Sequence, residues 1–191
     1  MKHKLIDVYV TTCGGVEEDF MKVLRDFKLG SFELRGKELR EKTLNRTGNL
    51  IVPNEHYAVF EQWLHPIIDE AHDEQDRTGT HFTPSRLIWK MGERINSEDS
   101  IFYWAWKNKI PCFCPAITDG SIGDQLYFHS IDRPGFILDL VGDINAMDGL
   151  SISAPKCGAI IVGGGVPKHH VLNACILNGA GADFAVYIST A

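Results

Sequence analysis

The sequence predicts an α/β protein in which a parallel sheet carries helices on both faces. Three observations predict it. Short apolar runs alternate along the chain with stretches of helical spacing. Several candidate strands are separated from one another by helices, the connection expected between parallel neighbours. The strands end in unusual turn sequences, Thr12–Gly15, Thr118–Asp124 and Gly163–His170, and ligands of such sheets bind at the strands' carboxyl ends.

Each element has its own reason. Leu5–Val10 is aliphatic and β-branched, and reads as the first strand. Val16–Leu29 places Phe20, Val23, Leu24 and Phe27 on one helical face, with Glu17, Glu18 and Asp19 in its first turn, where the dipole favours negative charge. Residues 30–54, with Arg35, Lys37, Arg40, Lys42 and Arg46, read as an irregular surface excursion. His56–Asp76 is a long amphipathic helix that Pro66 should kink or interrupt. Thr83 or Ser85 starts a helix through Met91, and Asn96-Ser97 starts another through Trp106. Ile110–Ile117 is a strand, followed by a helix through Phe128. From Asp139 a helix runs to Met147. Cys157–Val162 is a strand, Pro167–Leu177 a helix and Asp183–Ser189 a final strand.

The totals narrow the function. The 191 residues suit one domain, and neither repeat nor linker divides them. A formal charge of −6 disfavours non-specific binding to nucleic acid or anionic membrane. The five cysteines are odd in number and lack C-x-x-C spacing, so neither a disulfide framework nor a zinc site is indicated. Cys112 and Cys114 flank Phe113 in an apolar run and read as buried thiols. There is no signal-peptide pattern and no apolar run of spanning length, which together with the cysteines argues for a reducing, cytoplasmic setting.

The richest stretch is Gly158–His170, where an apolar run stops at three glycines before Val-Pro-Lys-His-His. Glycines at a strand end allow close backbone approach, and a helix N-terminus attracts anions. An anionic cofactor beside a proton-carrying side chain is the expectation, with Lys168 a phosphate or carboxylate partner. His169 and His170 point in different directions on a helix, so they are not a shared metal site, and one of them suits a general base. Cys13-Gly14-Gly15 is either a tight turn or a phosphate approach, and G-x-G-x-x-G is absent. Asp119 either caps the next helix or, with Asp124, receives ribose hydroxyls or an ammonium group. His65 and His72, among Asp69, Glu70 and Asp73, read as a solvated helix face, and Phe102, Tyr103, Trp104 and Trp106 as core or subunit interface.

Together TTCGGVEED, RGKELREKTLNRTGNLIVPN, PAITDGSIGDQLYFHS and GGGVPKHHVLNA followed by ADFAVYISTA, in this order, resemble the deoxyhypusine synthase family over essentially the whole chain. The resemblance implies a Rossmann-like parallel sheet in a tetramer with active sites at a dimer interface. It implies NAD as cofactor, spermidine as donor of an aminobutyl group, an enzyme lysine as carrier, and a lysine of the translation factor eIF5A as acceptor. By motif it implies NAD contacts at Thr12, Cys13, Gly14, Glu18, Asp119, Gly164, Thr190 and Ala191. It implies polyamine contacts at Glu17, Glu18, Asp124, His169, Asn173 and Tyr187, with His169 a base and no metal. Spermidine is cationic at neutral pH, which suits a carboxylate-lined site.

Departures from the family pattern also carry expectations. The family's lysine-bearing segment, beyond Tyr-Ile-Ser-Thr-Ala, and its N-terminal part are not among these residues. Residues 1–191 are therefore expected to form a single, incomplete NAD- and spermidine-binding catalytic domain with no transfer activity alone. Cys13 stands where the family usually has alanine, and Pro167 where it has an aliphatic residue, tolerable at a first helical turn. Two alternatives accompany this reading. One is a non-catalytic partner subunit of a full-length paralogue. The other is a homospermidine synthase, which passes the aminobutyl group to putrescine.

Overall fold

A computed structural model describes residues 1–179 and 181–190. The element order is β1 (Tyr9–Val10), α1 (Cys13–Leu24), β2 (Lys28–Leu29), α2 (Gly36–Glu41), β3 (Leu44–Thr47), β4 (Leu50–Pro53), α3 (Asn54–Thr78) and α4 (Pro84–Ile95). There follow α5 (Ile101–Asn108), β5 (Cys112–Phe113), α6 (Ser121–Asp132), α7 (Leu140–Ser153), β6 (Gly158–Val162), α8 (Val166–Leu177) and β7 (Phe184–Ile188).

The α/β class is present, but the single large parallel sheet is not. Among the described residues β1 pairs in parallel with β5, β6 pairs in parallel with β7, and β2-β4-β3 form a separate antiparallel sheet. The expected strand over 110–117 contracts to two residues because Pro111 and Pro115 flank it and neither can donate to a ladder. Its parallel pairing is completed by Tyr9 donating to Pro111 O and Thr11 to Phe113 O, both at 3.0 Å. Residues 30–54 are not irregular. Leu50–Pro53 pairs with Leu44–Thr47 on one side and with Lys28–Leu29 on the other, and α2 packs beside β3. The first helix consequently stops at Leu24, so that Lys28–Leu29 joins this sheet.

Helix α3 centres the main core. Its Phe60, Leu64, Ile67, Ile68 and Ala71 are fully buried against Val16 and Phe20 of α1, Leu87 and Met91 of α4, Phe102 of α5 and Ile122 of α6. Each such large side chain contributes roughly 1.5–3 kcal/mol of burial. Pro66 neither ends the helix nor faces the core; it is exposed, so the carbonyl it leaves unbonded lies on the solvent side. His72 is not on a solvated face. It is 2% exposed, and its Nδ1 lies 2.9 Å from His129 Nε2 of α6. Phe102 and Tyr103 are core, as expected. Local signals set several ends: the hydroxyl of Thr83 accepts from Arg86 N–H to open α4, and Asp139 accepts from Gly142 N–H at 2.9 Å to open α7.

A second, smaller cluster places α8. Ala174 and Val171 of α8 meet Phe113 of β5, Met147 of α7, and Val8 and Val10 of the first strand region. The β6–β7 pair presents Ala159 and Ile161 inward, whereas Ile160, Val162 and all of β7 are exposed, Val162 at 76%. No helix among the described residues is long and apolar enough to cross a membrane.

Candidate active site

The parallel register of β1 and β5 brings two strand–helix junctions side by side. In the first, Thr12 caps α1 by accepting from Gly15 N–H at 3.0 Å. Gly15 leaves room there: a Cβ would lie 2.3 Å from the Thr11 hydroxyl and would displace that side chain. In the second, the chain leaves β5 through Cys114-Pro115, turns at Ala116–Asp119 with Asp119 N–H donating to Ala116 O, and enters α6 at Ser121. Asp119 is not the cap. The N-cap position is Gly120, which makes no side-chain cap bond.

Glu17 supplies the missing acceptor. Its Oε2 receives the Ile122 N–H at 3.1 Å and the Cys13 thiol at 3.6 Å. Burial pushes the Glu17 carboxyl up, and the N–H groups of Ile122 and Ser121 work against this by favouring the ionised form. Burial first, and then the Glu17 carboxylate, push the Cys13 thiol far above its ordinary range. Cys13 is therefore an inert buried thiol. Gly120 sits against both: a Cβ there would lie 2.9 Å from Cys13 Sγ and from each Glu17 oxygen. At Gly123 a Cβ would lie 2.2 Å from the Thr118 carbonyl oxygen. Gly120 is thus set by packing of α6 against α1, and Gly123 by the close approach of its own loop.

Around this joint stand the other carboxylates. Glu18 is paired with Lys22 at 3.0 Å, while Asp119 and Asp124 are exposed. Tyr57 of α3, whose phenol burial and the Glu17 and Glu18 carboxylates push up, also faces this corner. Nothing in its sequence setting marks it.

The third junction, β6–α8, carries the glycine run. Gly163 and Gly165 have φ of +81° and +75°, the left-handed region that favours glycine, and a Cβ on any of the three would meet nothing within 4 Å. His169 and Asn173 share an exposed face of α8, whereas His170 turns inward beside Phe113. The two histidines diverge as expected. His170 borders a cavity of about 140 Å³ together with Phe113, Cys114, Asp143 and Ile144. Its Nε2 is buried without a hydrogen-bond partner among the described residues, and burial pulls its pKa down. Asp143 is held by Ser85, whose N–H and hydroxyl both donate to it, at 2.8 and 2.5 Å.

The structure thus joins Cys13, Glu17 and Gly120. Gly164, His169 and Asn173 lie on the neighbouring β6–α8 unit. Tyr187 is exposed on β7 opposite Ile161, and Thr190 follows that strand. Ala191 lies outside the described residues. Among the described residues no hydrogen bond or ion pair joins Asp119 or Asp124 to His169, Asn173 or Tyr187, and no group of three or more metal-ligating side chains occurs.

The family model described as deoxyhypusine synthase matches residues 1–191. The Dictyostelium discoideum protein named "Probable deoxyhypusine synthase" is 52% identical over 190 residues, covering 100% of this chain and 50% of its own length. "Homospermidine synthase 2" of Senecio vernalis is 54% identical over 194 residues, with 100% and 52% covered. A crystal structure from Entamoeba histolytica, titled as a candidate deoxyhypusine synthase, superposes with a TM-score of 0.77 at 37% identity, covering all of this chain and 58% of that one. The chain spans about half the length of the curated relatives it matches. With a family model matched from end to end, the chain belongs to the deoxyhypusine synthase family.

Proposed function

We propose that these residues supply an NAD- and spermidine-binding part of an aminobutyl transferase that modifies a lysine of the eIF5A precursor. The observation that carries this reading is the Glu17–Ile122 bond, which fixes two strand-end loops, Thr12–Gly15 and Thr118–Asp124, against one another. An anionic dinucleotide suits this place on physical grounds. Helix N-termini α1 and α6 meet there, and the Gly163–Gly165 turn has no side chain in the way of a ligand.

Under this reading Thr12, Cys13, Gly14, Glu18, Asp119, Gly164, Thr190 and Ala191 hold NAD. Cys13 contributes through its backbone, since its thiol is engaged with Glu17. Bound there, NAD would supply a hydride acceptor for oxidation of the donor at its amine-bearing carbon. Asp124, Glu18 and Glu17 neutralise the polyamine's ammonium groups, and the donor displaces Lys22 from Glu18. His169 Nε2 or Nδ1 accepts a proton, and Asn173, one turn on, and Tyr187 border the polyamine. The protein works in the cytoplasm as a homotetramer or beside a paralogue. The exposed apolar face of β6–β7 supports such an assembly.

Calorimetry tests the binding part of this reading. NAD should bind the chain and be lost in Asp119→Ala, and spermidine should be lost in Asp124→Ala. Heats unchanged by both substitutions would contradict it. A second reading, transfer to putrescine, is favoured by the 54% identity to homospermidine synthases, as high as to any deoxyhypusine synthase named above. Supplying each acceptor in turn to an active enzyme separates the two.

A further inference from the structure

We propose that His72 and His129 form an acid-released latch that holds the 133–138 connection, between α6 and α7, closed against α3. Nothing in the active-site reading uses either residue.

The pair is buried, and the connection closes over it. His72 Nδ1 lies 2.9 Å from His129 Nε2, and the two side chains are 3% and 4% exposed. Phe136 packs on both rings, at centroid distances of 5.5 and 5.9 Å. Gly135, at φ +114°, comes close enough that a Cβ on it would lie 3.7 Å from His72 Nε2. Gln75 of α3 clamps the same loop: its Nε2 donates to Gly135 O at 2.8 Å, and its Oε1 accepts from Ile137 N–H at 3.0 Å.

The surrounding carboxylates set the proton positions. Asp69 Oδ1 lies 3.3 Å from His129 Nδ1. A carboxylate accepts and does not donate, so that nitrogen carries the hydrogen. In the neutral imidazole His129 Nε2 is then a lone pair, and His72 Nδ1–H donates to it. The reverse arrangement would need His72 Nε2–H on Asp76, which stands farther off at 3.6 Å and is held by Arg133 at 2.7 Å. It would also turn a bare His129 nitrogen toward Asp69. Donation therefore runs from His72 to His129 to Asp69.

This direction decides what acid does. A proton added at His72 Nε2 faces Asp76 and leaves the bond between the rings intact. A proton added at His129 Nε2 occupies the lone pair on which that bond depends, and sets two N–H groups against each other. Burial holds the His129 pKa below its ordinary 6.5; His72, Arg133 and His65 add to this, and Asp69 opposes it. Asp73, bound to Arg133 at 2.6 Å, completes the charged groups on this side of α3. The proton that the closed pair excludes is accepted once the rings separate, so falling pH favours the open connection. Phe136 then loses its seat and the Gln75 clamp its partners. Phe60 and Leu64, which anchor the core, lie at least two turns earlier on α3.

Hydrogen exchange of the whole chain, read by mass spectrometry at pH 7.5 and 5.5 and corrected for intrinsic exchange rates, tests the latch. Protection over 134–138 should fall about ten-fold between these pH values, the linkage expected when only the open form takes the proton with an ordinary pKa. It should also stay below that of peptides carrying Phe60 and Leu64. In His129→Gln, whose amide oxygen accepts but takes no proton at these pH values, the fall should vanish. Long-range proton–nitrogen correlation spectra of the unsubstituted chain need no variant. They should show His129 with hydrogen on Nδ1 alone at pH 7.5, gaining Nε2–H as protection is lost. Protection that does not change with pH, a fall that persists in His129→Gln, equal protection of the connection and the core, or hydrogen on His129 Nε2 at pH 7.5 would each overturn the proposal.

Discussion

Glu17 and Ile122 are joined by a hydrogen bond in which the Ile122 N–H donates to Glu17 Oε2 at 3.1 Å, so a side chain of α1 caps the first turn of α6. Helix N-termini leave N–H groups without partners inside the helix, and the Gly120 N-cap has no side chain to offer. Asp19, two residues on, does the same for α5, accepting from Ser100 Oγ at 2.6 Å and Ile101 N–H at 3.0 Å. The acidic run of α1 thus serves the termini of two other helices.

Glu17→Ala should destabilise the chain by about 1–3 kcal/mol, the cost of leaving a buried donor unsatisfied. Glu17→Gln keeps an acceptor and should lose less. The difference between wild type and Gln also depends on pH. Burial raises the folded carboxyl above its ordinary value of 4.5, so the folded state holds this proton more tightly than the unfolded state. That contribution is full below 4.5 and is lost as pH rises through the folded pKa. The Gln variant should therefore gain on wild type as pH rises from 4.5, measured by urea unfolding at several pH values.

Gly123→Ala should be more damaging than Gly120→Ala. The first puts a methyl 2.2 Å from the backbone oxygen of Thr118, which moves only with the loop. The second meets side-chain atoms of Cys13 and Glu17 at 2.9 Å. Overpacking of this kind costs roughly 1–3 kcal/mol. Melting temperatures of the two variants check the order, and only Gly120→Ala should be eased by Cys13→Ala.

The α3–α6 contact should weaken in mild acid. Burial holds the His129 pKa below its ordinary 6.5, with His72, Arg133 and His65 adding to this and Asp69, 3.3 Å away, opposing it. The unfolded state therefore takes up this proton first, and stability is lost as pH falls below 6.5 toward the folded value. His129→Gln should give a shallower decline between pH 7.5 and about 5.5, followed by chemical denaturation.

What was legible in the sequence was local. Asp139 ahead of α7, Thr83 ahead of α4 and the glycine run ahead of α8 all announce helix starts through groups a few residues away. The β2-β4-β3 sheet is not legible, because its strands are only two to four residues long, too short for an apolar alternation to show, and are defined by antiparallel partners. His72 read as solvated for a similar reason: its partner His129 lies 57 residues away. The sequence marks Glu17 as a ligand carboxylate, while its capping bond spans 105 residues and leaves no spacing signal. The strands over 157–162 and 183–189 are legible in their apolar, β-branched runs, but neither their pairing with one another nor their separation from β1–β5 is, because pairing is encoded in no single segment.

The central claim is that these residues build an NAD- and spermidine-binding part of an aminobutyl transferase. The most direct measurement is a chimera in which residues 1–191 replace the matching half of the Dictyostelium discoideum relative. It is assayed with NAD, labelled spermidine and either the eIF5A precursor or putrescine. The account predicts NAD-dependent transfer of label to one acceptor, lost in Asp124→Ala and in His169→Ala. A folded chimera that binds neither NAD nor spermidine and transfers no label to either acceptor would contradict it.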